Sequence, residues 1–362
     1  MKIYLVGGAV RDELLGLKVV DKDFVVVGAT ENEMLSKGFL KVGTEFPVFL
    51  DPIHKEEYAL ARYEKKVDKG YSGFTFDANK NITLKQDLIR RDFTINALVK
   101  DVDNNIIDLV GGLNDLKQKT LRHISKNFIE DPLRVIRLAR FSAKLPDFTI
   151  APETIELCVQ IAKNNELEYL TKERVWLELF KTLKLSKIEN FFKVLNQTTA
   201  LQVVLPEFTQ ILDLSTKEFA MINAISNEKF KFAILCSYLK LENLQKLIKR
   251  LPIPNTYANL ALKINEFYET IKNPPNEIEK IFDIAHKLQC FRKNSIFNEI
   301  ISCLKTSTNI KSLQWWQKLH LGILAIKPTS IKLSNKEIGS YIKKQRMNFI
   351  KSHLVTNIPF KT

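Results

Sequence analysis

Ten of the chain's twelve glycines fall before residue 140, and that asymmetry limits what each part can become. Glycine serves turns and close backbone approaches and weakens helix interiors, so strands and turns should dominate early and helices late. Periodicity agrees. Apolar runs bounded by turn residues at 3–6, 24–27, 47–50 and 58–61 predict strands. One or two helical turns are expected at 11–16, ended by Gly16, and a longer helix at 84–98. Residues 103–108 read as a hairpin turn, 111–116 as a joint, and the polar, aromatic-spiked stretch 64–81 as a long loop. After Pro132, Leu, Ile, Phe and Lys recur every three or four residues, the mark of packed helices. The expected fold is an α+β head, a small mixed sheet with helices, followed by an all-α neck and body.

Composition excludes several classes. Forty-five per cent apolar residues suffice for a core, and no uninterrupted run of 18 apolar residues offers a membrane span. Cys158, Cys236, Cys290 and Cys303 lack CxxC spacing, which argues against a zinc site or a disulfide framework. No secretory leader is visible, so a cytoplasmic, reducing setting is expected. The net charge of +14 is uneven: +2 over residues 1–140 and +12 over 141–362. The second part could track a polyanion, although a basic solvated surface accounts for the excess equally well on composition alone.

The chemistry concentrates in GGAVRDELLGLKVVDKDFVVVG, residues 7–28. Gly7-Gly8 after a strand permits close approach of a bulky anion, with successive N–H groups forming a nest. Asp21 and Asp23 enter a hydrophobic strand two residues apart, which places both carboxylates on one face, roughly 7 Å apart. Oxygen ligands so placed suit one or two Mg²⁺ ions. An Asp-x-Asp pair alone is commonly a solvated turn; the glycine pair, Arg11 and the apolar strand behind it favour a site. Further on, RRDFTINAL (90–98) holds two adjacent arginines, of which Arg91 is suited to phosphate oxygens. In EDPLRVIRLARF (130–141), Asp131, Arg134, Arg137 and Arg140 span about half of a helix circumference. TKERVWLEL (171–179) reads as an amphipathic helix with Trp176 in the core.

A glycine pair followed by Asp-x-Asp on a strand resembles the nucleotidyltransferase superfamily related to DNA polymerase β. GGAVRDELLG with DKDFVVVG, RRDFTINAL and EDPLRVIRLARF resemble the tRNA nucleotidyltransferase and bacterial poly(A) polymerase branch, over about residues 1–210. The resemblance implies that Asp21 and Asp23 hold the metals, Mg²⁺, with Glu57 as the candidate third catalytic carboxylate. It implies nucleotide contacts from Gly8, Arg11 and Arg91, base reading by Asp131 and Arg134, and further contacts from Arg137 and Arg140. It also divides the chain into a nucleotidyltransferase head (1–110), a hinge and helical neck (111–200) and a basic all-α body (201–362).

Within that branch, GTEFPVFL (43–50) and the full stretch 64–81 resemble the bacterial class II, CCA-adding form. The implied substrates are tRNA, CTP and ATP, with no membrane and no protein partner. Where longer relatives carry a His-Asp phosphohydrolase pair, KFAILCSYLK (231–240) has Cys236-Ser237-Tyr238, so no phosphatase or phosphodiesterase activity is expected. The rival expectations are a poly(A) polymerase and a catalytically inactive RNA-binding protein.

Overall fold

The computed structural model describes residues 1–42, 48–66, 74–77, 79–293, 295–307, 312–327 and 335–356. Contacts divide the chain into two compact units, Met1–Thr182 with Glu189–Pro206, and Leu183–Ile188 with Glu207–Thr362. Among the described residues, no helix is long and apolar enough to cross a membrane.

The first unit is built on a mixed sheet of seven strands. In chain order these are β1 (Lys2–Val6), β2 (Asp23–Val27), β3 (Leu40–Val42), β4 (Val48–Leu50), β5 (Glu57–Leu60), and, after the separate ribbon below, the short strands Val99–Lys100 and Ile106–Ile107. β1 lies antiparallel to β2, and β2 parallel to β5, so the middle of the sheet is β5-β2-β1. Alternation along β2 sends Val25 into a core with Val6, Leu88 and Val99, and Val26 into a second core with Met34, Phe49 and Leu60. Apolar packing on both faces fixes the strand register, because a one-residue slip would exchange the two sets.

Residues 64–81, expected as a loop, are partly ordered. β6 (Tyr63–Lys66) pairs antiparallel with β7 (Phe74–Asp77), with Tyr63 opposite Asp77. Residues 67–73 and 78 of that stretch, and 43–47 of GTEFPVFL, lie outside the described residues. The helix expected over 84–98 also stops early. Two short helices, α1 (Gly8–Leu14) and α2 (Glu31–Ser36), come before it, and α3 spans only Leu84–Ile89. The run stops at Ile89 with Arg90 as its cap, and Asp92 then holds the chain in a non-helical turn. Its Oδ1 accepts from the N–H of Phe93 and from Asn96 Nδ2, while Phe93 takes an extended conformation and bridges to His123. Pairing with a segment thirty residues away overrides the local period.

The joint at 111–116 becomes α4 (Gly112–Lys117), capped by one side chain. Asp108 accepts N–H groups from Val110, Gly111, Gly112 and Leu113 at 2.9–3.1 Å. α5 (Leu133–Lys144), α6 (Pro152–Lys163), α7 (Lys172–Leu183) and α8 (Ile188–Gln197) follow. In α7 the apolar core positions are Val175, Leu179 and Leu183, whereas Trp176, expected in the core, is only half-buried. Among its described residues the second unit is largely helical, from the helix Thr216–Asn223 to the helix Asn335–Thr356, and Cys236 is buried within Glu228–Ser237.

Gly112 packs so tightly that a Cβ there would stand 2.3 Å from the Thr94 carbonyl oxygen. Gly112→Ala should therefore destabilise the first unit by about 1–3 kcal/mol, read as a lower urea midpoint at unchanged slope. A midpoint equal to wild type would show that α4 can move aside at no cost.

Candidate active site

Three chain segments meet where β1 ends. Gly7 follows β1 at φ 77°, a left-handed conformation open to glycine, and its carbonyl starts α1 by accepting from the Arg11 N–H. The Gly7 N–H itself donates to the Leu98 carbonyl at 3.1 Å, so it is committed to the fold and not to a nest. Asp23 opens β2 opposite Val6, and Glu57 opens β5 in register with Asp23. Register partners point to the same face, so Asp23 and Glu57 stand side by side across one strand spacing, about 4.8 Å. On the opposite face their successors Phe24 and Tyr58 stack with centroids 4.5 Å apart, which locks that register. Asp21 lies just before β2 and not within it, so its placement beside Asp23 is set by the entering chain and not by strand alternation.

Desolvation pushes the Asp23 carboxyl above its ordinary value; Arg91 pulls it down, and the Asp21 charge pushes it up. These are carboxylates sharing a neighbourhood, all with oxygen donors. Among the described residues, no three acidic, His or Cys side chains are already drawn into a cage. An incomplete oxygen set suits a cation that keeps several waters and takes substrate phosphates as ligands, so the residues present fit a hard divalent ion.

Asp23 lines a cavity of about 540 Å³ with Gly7, Gly8 and a dense group of cations. Every sequence-predicted nucleotide contact reaches it: Gly8, Arg11, Arg91, Asp131, Arg134, Arg137 and Arg140. Glu57 and Asp21 are not among its lining residues. Arg62, Arg90, Asn96, Lys144 and Arg174 line it too, and no motif argument had singled them out as contacts. Among the described residues, nine cationic and three acidic side chains give the wall a net charge of +6.

Several of these cations are fastened from behind. Arg11, only 2% exposed, donates Nε to Asp12 at 2.8 Å and Nη1 to Asn96 Oδ1. Lys144 Nζ reaches the other Asp12 oxygen at 2.7 Å. Arg137 donates to Asp92 Oδ2 at 2.6 and 2.8 Å, and Arg140 to Glu178 Oε2 at 2.5 Å. Arg11, Arg137 and Arg140 also surround the Phe141 ring at 4.6–5.8 Å, where its negative face stabilises them. The arginines of α5 are thus built into the interior wall and do not form a solvated stripe.

Asp131 precedes α5. Its Oδ1 accepts from the Leu133 N–H at 3.1 Å and its Oδ2 from Arg174 Nη2 at 2.9 Å. Arg134 donates to the carbonyls of Asn127 (2.7 Å) and Arg90, which fixes its guanidinium plane.

Burial alone would raise Asp87 and Asp92, but Arg91 with Arg90, and Arg137 with Asn96, hold them down at about 2. Folded values below the ordinary value of about 4 mean stability that is complete above pH 4 and lost as pH falls toward 2, on the order of 2 kcal/mol each. Urea midpoints measured from pH 5 to pH 2.5 should fall steeply, and Asp92→Asn should flatten that slope. An equally steep slope in the variant would remove Asp92 as a cause.

Residues 3–122 match the family described as the Poly A polymerase head domain, and residues 147–212 the one described as the probable RNA and SrmB-binding site of polymerase A. The chain is 42% identical over 363 residues to the CCA-adding enzyme of Coxiella burnetii, covering 97% of this chain and 95% of that protein. It is 41% identical over 340 residues to the CCA-adding enzyme of Francisella tularensis subsp. novicida, covering 91% and 92%. Among solved structures, the Bacillus stearothermophilus CCA-adding enzyme in complex with CTP shares the fold at TM-score 0.68 and 22% identity, over 97% of this chain and 89% of that one. The Thermotoga maritima CCA-adding enzyme complexed with tRNA does so at TM-score 0.64 and 20% identity, over 98% and 91%. With the sheet, the glycine turn and the cationic cavity in place, identity of this extent makes the chain a member of the CCA-adding enzymes, the class II tRNA nucleotidyltransferases.

Proposed function

We propose that this protein builds and repairs the 3′-terminal CCA of tRNA from CTP and ATP, with the cavity of the first unit as the seat of nucleotidyl transfer. One observation carries the reading: Asp23, the Gly7-Gly8 turn, Arg91, Asp131 and Arg134 line the same cavity, although they come from three distant segments. Enzymes of this family use divalent metal ions, and Asp21 and Asp23, with Glu57 beside them, are the residues that would hold Mg²⁺ here. The ion, when bound, supplies charge neutralisation on the triphosphate and lowers the pKa of the attacking hydroxyl.

The tRNA 3′ oxygen bonds to the α-phosphorus of the nucleotide, the α–β bridging bond breaks, and pyrophosphate leaves. The +6 wall offsets the charge of the β- and γ-phosphates, and it does so with side chains already held in place, so little reorganisation is needed. Asp131 accepts from the exocyclic amine of cytosine or adenine, and Arg134 donates to the ring nitrogen beside it. Uracil and guanine present the reverse pattern of donor and acceptor, so both are refused without a template.

We assign base choice to the neck, 111–200, and tRNA holding to the basic body, 201–362. The four cysteines, all free and buried, accord with a cytoplasmic setting. A poly(A) polymerase is not favoured, since the relatives matched over nearly the whole chain are CCA-adding enzymes.

The test offers tRNA lacking CCA to the enzyme with CTP alone, ATP alone and both. One complete CCA should form only with both; an open-ended A tail would sink the reading. In the same assay Asp23→Ala should lower turnover on the order of 10³-fold with tRNA binding kept. Asp131→Ala and Arg134→Ala should each lower the preference for CTP over UTP about 10- to 100-fold, the worth of one bidentate base contact. An unchanged preference in both variants would move base choice elsewhere.

A further inference from the structure

Asp87 has no part in the chemistry above, yet among the described residues no acidic side chain is more buried, at 0% exposure. It sits on α3 one turn before Arg90 and Arg91. Its Oδ1 accepts Nε and Nη2 of Arg90 at 3.0 and 2.6 Å and the backbone N–H of Arg62 at 3.3 Å. Its Oδ2 accepts Nε and Nη2 of Arg91 at 3.3 and 3.0 Å. Arg62, Arg90 and Arg91 all line the cavity. Arg91 also faces the glycine turn, with Nη1 3.5 Å from where a Cβ on Gly7 would stand. Two adjacent guanidiniums repel each other; one buried carboxylate, gripped by a two-pronged bond on each side, holds both in fixed planes. The same carboxylate ties down the chain at Arg62, the residue that leads into β6.

We infer that Asp87 is the positioning residue for the triphosphate: it clamps Arg90, Arg91 and the Arg62 backbone into one preset cationic wall. The inference rests on the reading above, in which Arg91 faces the phosphates. A wall set before substrate arrives spares the cost of ordering flexible side chains on binding. Its loss should therefore appear in phosphate affinity, equally for both nucleotides, and not in base choice.

The experiment uses the full chain and inorganic tripolyphosphate, a probe with neither base nor sugar, as a competitor of CTP. Asp87→Asn should weaken tripolyphosphate inhibition about tenfold and raise KM for CTP and ATP by the same factor. The preference for CTP over UTP should stay within about twofold, which a general loosening of the fold would not spare. Folded Asp87→Asn protein with wild-type tripolyphosphate affinity overturns the inference. Arg91→Ala separates the two levels: if it too keeps full tripolyphosphate affinity, the phosphate role of Arg91 fails, and the inference with it. If Arg91→Ala loses affinity and Asp87→Asn does not, the inference alone falls. A second measurement needs no Asp87 variant. In nucleotide-free wild type the Arg91 Nε–H, assigned by its loss in Arg91→Ala, should exchange slowly in the NMR spectrum; fast exchange would overturn the clamp.

Discussion

The interior of this protein must hold a crowd of positive charges before any negative ligand arrives. Cations gathered around one cavity repel each other, and the low-dielectric wall behind them magnifies that repulsion. The chain meets the difficulty with buried carboxylates, three of which, Asp12, Asp87 and Glu178, lie behind the lining while Asp92 reaches it. Asp12 serves Arg11 and Lys144, Asp87 serves Arg90 and Arg91, Asp92 serves Arg137, and Glu178 serves Arg140. Except for Asp12, which is more exposed than Arg11, each acid is more buried than the cation it holds, and the cavity keeps its positive face because, among the described residues, Asp23, Asp92 and Asp131 are the acids that reach the lining. Removing one member of such a pair leaves an uncompensated buried charge, so the site and the stability of the first unit are one problem.

The sheet supplies the opposite charge at one defined place. Asp23 and Glu57 are the first residues of neighbouring parallel strands, where the antiparallel β1 ends and turns through Gly7. A parallel pair flanked by an antiparallel strand brings two strand starts and one strand end to the same edge. The Phe24–Tyr58 stack and the two apolar cores on either face keep β2 and β5 from slipping, and therefore keep the carboxylates abreast. Packing that never touches a nucleotide thus determines whether two oxygen donors stand within one ion's reach.

How much of this was legible in the sequence depended on the range of the contacts. Gly7-Gly8 with Asp23, and the arginines at three-residue spacing in α5, were readable because backbone geometry over a few residues generates them. Asp87 was not, since its role arises from Arg62, twenty-five residues away, and from burial that no local pattern records. Arg174 read as part of a plain amphipathic helix; its meaning comes from Asp131, forty-three residues earlier. The helix drawn through 84–98 failed for the same reason, because Phe93 leaves the helical period to pair with His123. The ribbon of β6 and β7 was missed because alternation over four residues is too short to stand out from a polar, aromatic-rich loop.

Arginine dominates the wall for a reason that the pairing scheme makes plain. A guanidinium carries five donors in a plane, so it can spend two on a carboxylate behind it and still turn others toward the cavity. Lysine has a single point of charge, and burial lowers its pKa further. Lys144, the one lysine among the described lining residues, shows that strain: desolvation, then the nearby Arg11, push its pKa down, and the bond to Asp12 resists both. A wall of lysines paired in this way would turn its charge inward or lose it. Eight arginines to one lysine among the described lining residues is therefore what a buried, prepaired and still outward-facing cationic surface requires.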